Sequence, residues 1–152
     1  MVVDGQKFYP GELASPELIA QLANEYRLAA AELAKTGRRG EPLSRAPFRM
    51  AAIHAIELYL NAFLTAAGRP AVEIRGMQHD LSVRTELALA AKLNLRKRTV
   101  SHLKALTRRR EYLLARYDPA ASRASELNRL EATLAELAEK VPAWISSHVD
   151  GN

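Results

Sequence analysis

The stretch that decides the fold is PFRMAAIHAIELYLNAFLTAA, residues 47–67. On a helix of 3.6 residues per turn, its large apolar side chains form one broad face, and further leucines border the remaining side. The stretch therefore predicts a helix over about Pro47–Ala67 that is apolar nearly all round. Because such a helix must be enclosed by other elements, we expect it at the centre of a helical bundle.

Two helices with clear start signals are predicted on either side of this central helix. The first spans about Pro16–Lys35, where Ser15 is a suitable N-cap and a proline suits the first helical position. The other spans about Leu81–Leu93, with Asp80 as its cap. Both segments carry apolar residues at helical spacing, so each should pack one face against the centre.

Two more helices complete the predicted bundle. The fourth spans about Thr99–Tyr117 and is closed by an Asp-Pro pair. The fifth begins near Ser122 within a C-terminal helical segment of about 120–147, and Pro142 should kink or end it. No strand pattern is present. The sequence thus predicts an all-α fold, an up-and-down bundle of about five helices.

The composition limits the class of protein. A chain of 152 residues can form one domain with a sizeable core, so we expect a single helical domain over residues 1–152. The absence of cysteine excludes disulfides, thiolate metal sites and cysteine nucleophiles. No signal pattern and no long apolar run is present, so we expect a cytoplasmic protein that does not interact with membranes.

Positive charge is concentrated in one segment. Residues 96–116 contain eight lysines or arginines and one acidic residue, a net charge of +7 in a chain whose total is +5. Such a segment is often only a solvated helix face, and it has no interleaved aromatic residues for stacking bases. The alternative is that it contacts phosphates, mainly through the nucleic-acid backbone, with a strong dependence on salt.

Arg110 raises a specific question within that segment. On a continuous fourth helix it lies in the middle of the apolar face, among Leu103, Leu106, Leu113 and Leu114. Its methylene groups could lie along the bundle with the head at an edge, or the guanidinium could belong to a polar site. A buried guanidinium requires an acidic or carbonyl partner, for which Glu57 is one candidate.

Residues 46–119 resemble the HEPN domain, the nucleotide-binding domain of higher eukaryotes and prokaryotes. The resemblance rests on AIHAIELYLNAFLTAAG (52–68), HDL (79–81) and an arginine-bearing helix that ends in ARYDP (115–119). It implies a helical, commonly dimeric bundle that often acts beside a nucleotidyltransferase or in toxin–antitoxin and defence systems. No cofactor is implied.

Many members of that family are metal-independent RNA endonucleases whose signature is an arginine, four to six residues, then a histidine. Histidine titrates near neutral pH and can move a proton, while arginine holds the phosphate. Here no histidine follows Arg110 at that spacing, so we expect no efficient nuclease activity. Arg49 with His54, and Arg96 with His102, do match the spacing. The candidate catalytic residues are therefore Arg96, His102 and Arg110.

A polar strip crosses the central helix. His54, Glu57 and Asn61 fall on one side of it and indicate either an exposed or dimer-forming face with hydrogen bonds, or the lining of a cleft. His79 and Asp80 fit the start of a helix. The four histidines are scattered, so no metal site is predicted.

The basic segment and the resemblance together predict a HEPN-like protein that binds RNA or a nucleotide. The resemblance further implies a homodimer in a toxin–antitoxin or defence setting. The alternatives are a metal-independent RNA endonuclease and a bundle that binds an acidic protein partner. The predicted binding residues lie on the basic segment and are Arg96, Lys97, Arg98, Lys104, Arg108, Arg109, Arg116 and Tyr117.

Overall fold

Seven helices build the part of the chain that the computed structural model describes, which is residues 2–3, 6–7, 9–119 and 125–149. They are α1 Pro16–Ala34, α2 Ala46–Ala66, α3 Ala71–Gly76, α4 Leu81–Ala90, α5 Lys97–Arg108, α6 Glu111–Tyr117 and α7 Leu127–Val149. A 3-10 turn, Pro42–Arg45, leads into α2. One short antiparallel pair, β1 Val2–Val3 with β2 Gln6–Lys7, departs from the expectation of no strands. The all-α prediction is confirmed, with more helices than expected.

The central position predicted for α2 is confirmed. α2 contacts α1, α3, α4, α6 and α7, and the buried apolar residues of the described chain form one cluster around it. Ile56, Leu60 and Phe63 are fully buried, and the Phe63 ring packs edge-on against Trp144 of α7 at 4.7 Å between centroids. Each such side chain stabilises the fold by about 1.5–3 kcal/mol through removal from water, so α2 carries a large share of the stability.

Both predicted N-caps are confirmed. The Ser15 hydroxyl accepts a hydrogen bond from the backbone N–H of Leu18 at 3.2 Å. The Asp80 carboxylate accepts from the N–H of Val83 at 3.0 Å. The N-terminus of α4 has a second cap, because the Thr107 hydroxyl of α5 accepts from two of its N–H groups, the nearer being 2.8 Å away. The helix ends thus connect α4 to α5.

One additional helix and two helix ends differ from the predictions. α3 was not expected, and α4 ends at Ala90 rather than Leu93, followed by Lys92 in the left-handed region at φ 76°. α7 does not end at Pro142 but continues to Val149, because Val141 and Ile145 are buried on either side of the proline. Their packing outweighs the backbone hydrogen bond that proline cannot make. The predicted start near Ser122 lies outside the described residues.

The prediction of one fourth helix over Thr99–Tyr117 is wrong. α5 ends at Arg108, and α6 begins at Glu111, after Arg110 adopts a left-handed conformation at φ 54° and ψ 42°. Arg110 is exposed and Glu111 is buried. The break changes the helical register, so Arg110 leaves the apolar face on which a continuous helix would have placed it. Burying an unpaired guanidinium costs more than the roughly 1–3 kcal/mol of a left-handed residue.

Candidate nucleic-acid interface

A cavity of about 690 Å³ lies between α5 and the beginning of α7. The α5 wall is formed by residues three or four apart, including Arg98, Ser101 and Ala105, so one helix face supplies it. Hydrogen bonds at the N-terminus of α5 hold α5 and α7 together beside this face. There the Glu136 carboxylate of α7 accepts from the N–H of Arg96 at 2.8 Å and from the Thr99 hydroxyl.

Positive charge dominates the cavity wall. Five cationic side chains line it, against the single carboxylate of Glu126, and they are Lys97, Arg98, Arg108, Arg109 and Arg129. Of these five side chains, only Arg109 has a carboxylate of a described residue within ion-pair range, Glu111 at 3.9 Å. The buried Nε of Arg129 has no hydrogen-bond acceptor among the described residues. An anion in this cavity would therefore meet several unneutralised donors.

A chain of hydrogen bonds forms the floor beneath these cations. The Nδ1 atom of His102 lies 2.6 Å from the Thr133 hydroxyl, and its Nε2 atom lies 2.7 Å from the Ser125 hydroxyl. The Ser125 hydroxyl donates to Glu111 Oε1 at 2.7 Å, and the Ser125 N–H donates to the same oxygen at 2.8 Å. Since the serine proton is used on the carboxylate, Nε2–H donates to Ser125. In the neutral imidazole, the Thr133 hydroxyl then donates to Nδ1.

The surroundings of His102 favour the same neutral form. Burial lowers the pKa of His102 to about 4, and the positive charges of Arg129 and Arg109 add to that shift. Both ring nitrogens have hydrogen-bond partners, and the side chain is 6% exposed. A proton shuttle for phosphodiester cleavage should titrate near neutral pH and be able to reach its substrate. His102 at neutral pH has the properties of a structural residue.

The structure brings together only part of the predicted binding set. Lys97, Arg98, Arg108 and Arg109 line the cavity, as does His102. Arg110 does not line it and is exposed beyond the end of α5.

The remaining predicted residues lie elsewhere on the described surface. Arg96 precedes α5 as its N-cap and does not line the cavity, so the Arg96 and His102 pair does not share one site. The Lys104 ammonium pairs with Glu86 of α4, and Arg116 and Tyr117 are exposed on α6.

Sequence reasoning missed Ser125 and Arg129, which complete the cavity from the side of α7. It also missed Glu111 as the buried acceptor of Ser125. No local pattern identifies Ser125 and Glu111, because they pair with each other across 14 positions and Ser125 also contacts His102, which is 23 positions away. The single acid in the basic segment was the only available signal.

The polar strip of α2 is divided among three contacts. Asn61 accepts from the Nε of Arg84 at 2.7 Å, Glu57 contacts the His79 ring at 2.9 Å, and His54 packs edge-on against Tyr26 at 4.5 Å between centroids. Burial lowers the pKa of His54. The strip is therefore hydrogen-bonded within the bundle at Asn61 and partly accessible at His54.

Arg84 provides a buried guanidinium, whereas Arg110, for which the sequence left a solvated head and a polar site open, is exposed. Arg84 is 2% exposed and donates to Asn61, to the Asp80 carbonyl at 2.9 Å and to the Ile74 carbonyl at 3.4 Å. Burial lowers its pKa, with the charges of Glu57 and Asp80 opposing that shift. With an acceptor for each guanidinium nitrogen, Arg84 joins α2, α3 and α4.

The second pair with signature spacing is not joined either. Arg49 donates from Nη1 to the Ser125 carbonyl, and burial lowers its pKa against the opposing charge of Glu111. His54 contacts Tyr26 of α1 instead. Arg49 thus supports the segment that carries Ser125, and no imidazole accompanies it.

The described residues contain neither a candidate metal site nor a membrane-spanning helix. No group of three or more histidine and acidic side chains is arranged to hold a metal ion in the described ranges. None of the described helices combines the length and apolar character needed to cross a bilayer. Comparisons with protein-family models, curated proteins and solved structures found no match for this chain.

Proposed function

We propose that this protein binds RNA through the cationic cavity between α5 and α7. The supporting observation is that five lysine or arginine side chains line one cavity. Of these five, only Arg109 has a carboxylate of a described residue within 4 Å, Glu111 at 3.9 Å. Clustered cations without counter-charges attract phosphates and release bound counterions when the phosphates arrive. A nucleotide phosphate is the smaller ligand with the same chemistry.

The composition of the wall favours recognition of the backbone over recognition of the bases. Among the described residues, no phenylalanine, tyrosine or tryptophan lines the cavity, and the ring of His102 is buried, so the wall offers no exposed ring on which a base could stack. Arginine is suited to bidentate contact with phosphate oxygens, and four of the five cations are arginines. We therefore expect weak sequence preference and strong salt dependence.

Binding without cleavage is the form of the proposal that the chemistry supports. With its pKa lowered to about 4 and both ring nitrogens bonded, His102 is a poor proton acceptor at neutral pH. Arg110 has no histidine at signature spacing. On the basis of the HEPN resemblance, we extend the proposal to a cytoplasmic homodimer that acts beside a nucleotidyltransferase in a toxin–antitoxin or defence setting. The support for this extension is the set of sequence motifs that carry the resemblance.

The test is fluorescence anisotropy with a labelled single-stranded RNA of about 12 nucleotides at salt concentrations of about 50 and 200 mM. Three or four phosphate contacts should give a slope of about −2 to −3 in log affinity against log salt. Arg108→Glu, in the cavity, should weaken binding at least about tenfold and make the slope shallower by about 1. Arg39→Glu, an exposed arginine outside the cavity, is the matched control.

Two results would contradict the proposal. If no RNA binds at the lower salt concentration, the bundle that binds an acidic protein partner becomes the better explanation of the basic segment. If Arg39→Glu weakens binding as much as Arg108→Glu, net charge rather than the cavity is responsible.

Incubation with a mixed RNA pool in EDTA tests the nuclease alternative. We expect the RNA to remain intact. Cleavage that disappears in both His102→Ala and Arg110→Ala would establish the endonuclease, whereas cleavage that persists in both variants would indicate a contaminant.

A further inference from the structure

A second, smaller cavity lies on the other side of the Ser125–Glu111 hydrogen bonds. Its volume is about 280 Å³, close to the lower end of the range for small-molecule sites. It is enclosed by the 3-10 turn, the beginning of α2 and α6, with Leu43, Leu114 and Ala115 among its apolar walls. The space is large enough for one small molecule and too small for a polymer segment of several units.

The cavity is lined by a buried carboxylate with unused capacity. Glu111 is 2% exposed, and its Oε1 atom accepts both hydrogen bonds from Ser125. Its Oε2 atom is also buried and has no hydrogen-bond partner among the described residues. A buried acceptor left without a donor is unfavourable, and more so when it is charged. This oxygen is therefore a place where a ligand's N–H group would be strongly favoured.

Two arginines, Arg45 and Arg49, line the same cavity as that carboxylate. Arg45 is held near the end of α1 by a 3.5 Å contact from its Nη1 atom to the Ala34 carbonyl, and its side chain lies directly over Gly37. Arg49 lies close enough to Glu111 for their charges to interact. Asp118 supplies a second carboxylate to the lining. The described lining residues therefore supply two positive and two negative groups, whose charges cancel.

We propose that this cavity binds a zwitterionic α-amino acid with an apolar or aromatic side chain. The ammonium group donates to Glu111 Oε2, the carboxylate accepts from Arg45 and Arg49, and the side chain packs against Leu43 and Leu114. Oε2 is shielded from solvent in the free protein, so the ammonium reaches it when the side chains of the cavity wall that cover it shift, while Oε1 keeps its two hydrogen bonds from Ser125. A nucleotide fits less well because its phosphate carries more negative charge beside the two carboxylates, and a simple amine has no group to accept from the arginines.

This inference does not depend on RNA binding. The two cavities are adjacent, because Ser125 lines the larger one and its hydrogen-bond partner Glu111 lines the smaller one. None of the five cations of the RNA site lines the smaller cavity. Variants can therefore separate the two sites. Arg108→Glu should leave amino-acid binding unchanged, and a substitution that fills the smaller cavity should leave RNA binding unchanged.

Isothermal titration calorimetry of the full chain with L-leucine and L-phenylalanine tests the inference. Two analogues of leucine distinguish the contacts, since 4-methylpentanoate lacks the ammonium and L-leucinamide lacks the carboxylate. Each should bind at least about tenfold more weakly than leucine, because each loses a charge-assisted hydrogen bond. The inference is overturned if neither amino acid binds at about 10 mM, or if 4-methylpentanoate binds as tightly as leucine.

Two variants locate the binding. Leu114→Trp fills the cavity and should abolish binding, and Arg45→Gln should weaken it at least about tenfold. Arg39→Gln removes the same charge from the neighbouring loop, outside the cavity, and should have no effect. Thermal unfolding of each variant shows whether the fold is retained. Unchanged binding in a folded Leu114→Trp protein, or in a folded Arg45→Gln protein, would exclude this cavity.

Discussion

The surroundings of α2 and the junction between α5 and α6 are buried by different means. Around α2 the buried residues are almost all apolar, and they pack against several helices at once. At the junction the buried groups are polar, with His102, Glu111, Ser125 and Thr133 joined by directed hydrogen bonds.

This difference teaches which interactions tolerate local change. Apolar burial is non-directional, so many sequences with the same periodicity fill the space around α2. A buried polar network is favourable only when every member has its partner, so the loss of one group affects all of them. We expect the first region to set the stability and the second to set the shape of the two cavities.

The largest effect should come from the apolar region. Phe63→Ala removes a fully buried ring from contact with Trp144 and should lower the free energy of unfolding by about 3–5 kcal/mol. Urea unfolding followed by the fluorescence of Trp144, the single tryptophan, measures this. Leu18→Ala, at a position 57% exposed, is the control and should change stability by no more than about 0.5 kcal/mol. Equal costs would mean that α2 is not the centre of the core.

The next effect is a pH dependence that belongs to the polar region. The pKa of His102 is lowered to about 4 in the folded protein, against an ordinary value of 6.5, so the unfolded chain binds the proton more readily. Stability should fall as the pH is lowered from 6.5 towards 4, by up to about 3 kcal/mol. Urea unfolding at several pH values measures the loss. His102→Gln should lose most of this slope and keep the smaller part that the lowered pKa of His54 contributes. An undiminished slope in that variant would assign the titration to another group.

Loss of the buried carboxylate should have a smaller cost. Glu111→Ala leaves the N–H and O–H of Ser125 without their acceptor and should lower the free energy of unfolding by about 2 kcal/mol. Glu131→Ala removes a carboxylate from an exposed position of α7 and should change stability little. A neutral outcome for Glu111→Ala would show that water replaces the carboxylate and that the network is dispensable.

The smallest expected effect tests whether the chain breaks into α5 and α6 at Arg110 or forms one continuous helix. Arg110 is left-handed, so Arg110→Gly removes the strain of a side chain at φ 54° and should stabilise the fold by about 1 kcal/mol. Arg109→Gly, at a right-handed position, should be destabilising by a similar amount. Chemical denaturation of both variants decides the matter. Destabilisation by Arg110→Gly would favour a single helix across residues 99–117.

Hydrophobic periodicity was sufficient for most of the fold. It predicted α1, α2 and α4 to within a few residues, and the caps Ser15 and Asp80 were recognised because capping is a local interaction. It failed at Arg110 because the spacing of the leucines does not report the cost of burying one guanidinium among them. Of the candidate site, four cations of α5 and the turn after it were predicted, and Arg129 was not.

The sequence by itself determined that this protein is a helical bundle around an apolar helix, with its excess positive charge on one segment. Both properties follow from the order of side chains along a helix, which is a local matter. Only the tertiary structure decided that Glu111 turns inward in place of Arg110, that Arg84 is the buried guanidinium, and that Ser125 separates two cavities. Those outcomes depend on partners far apart in the chain, and hydrogen-bond satisfaction is known only once the helices have packed.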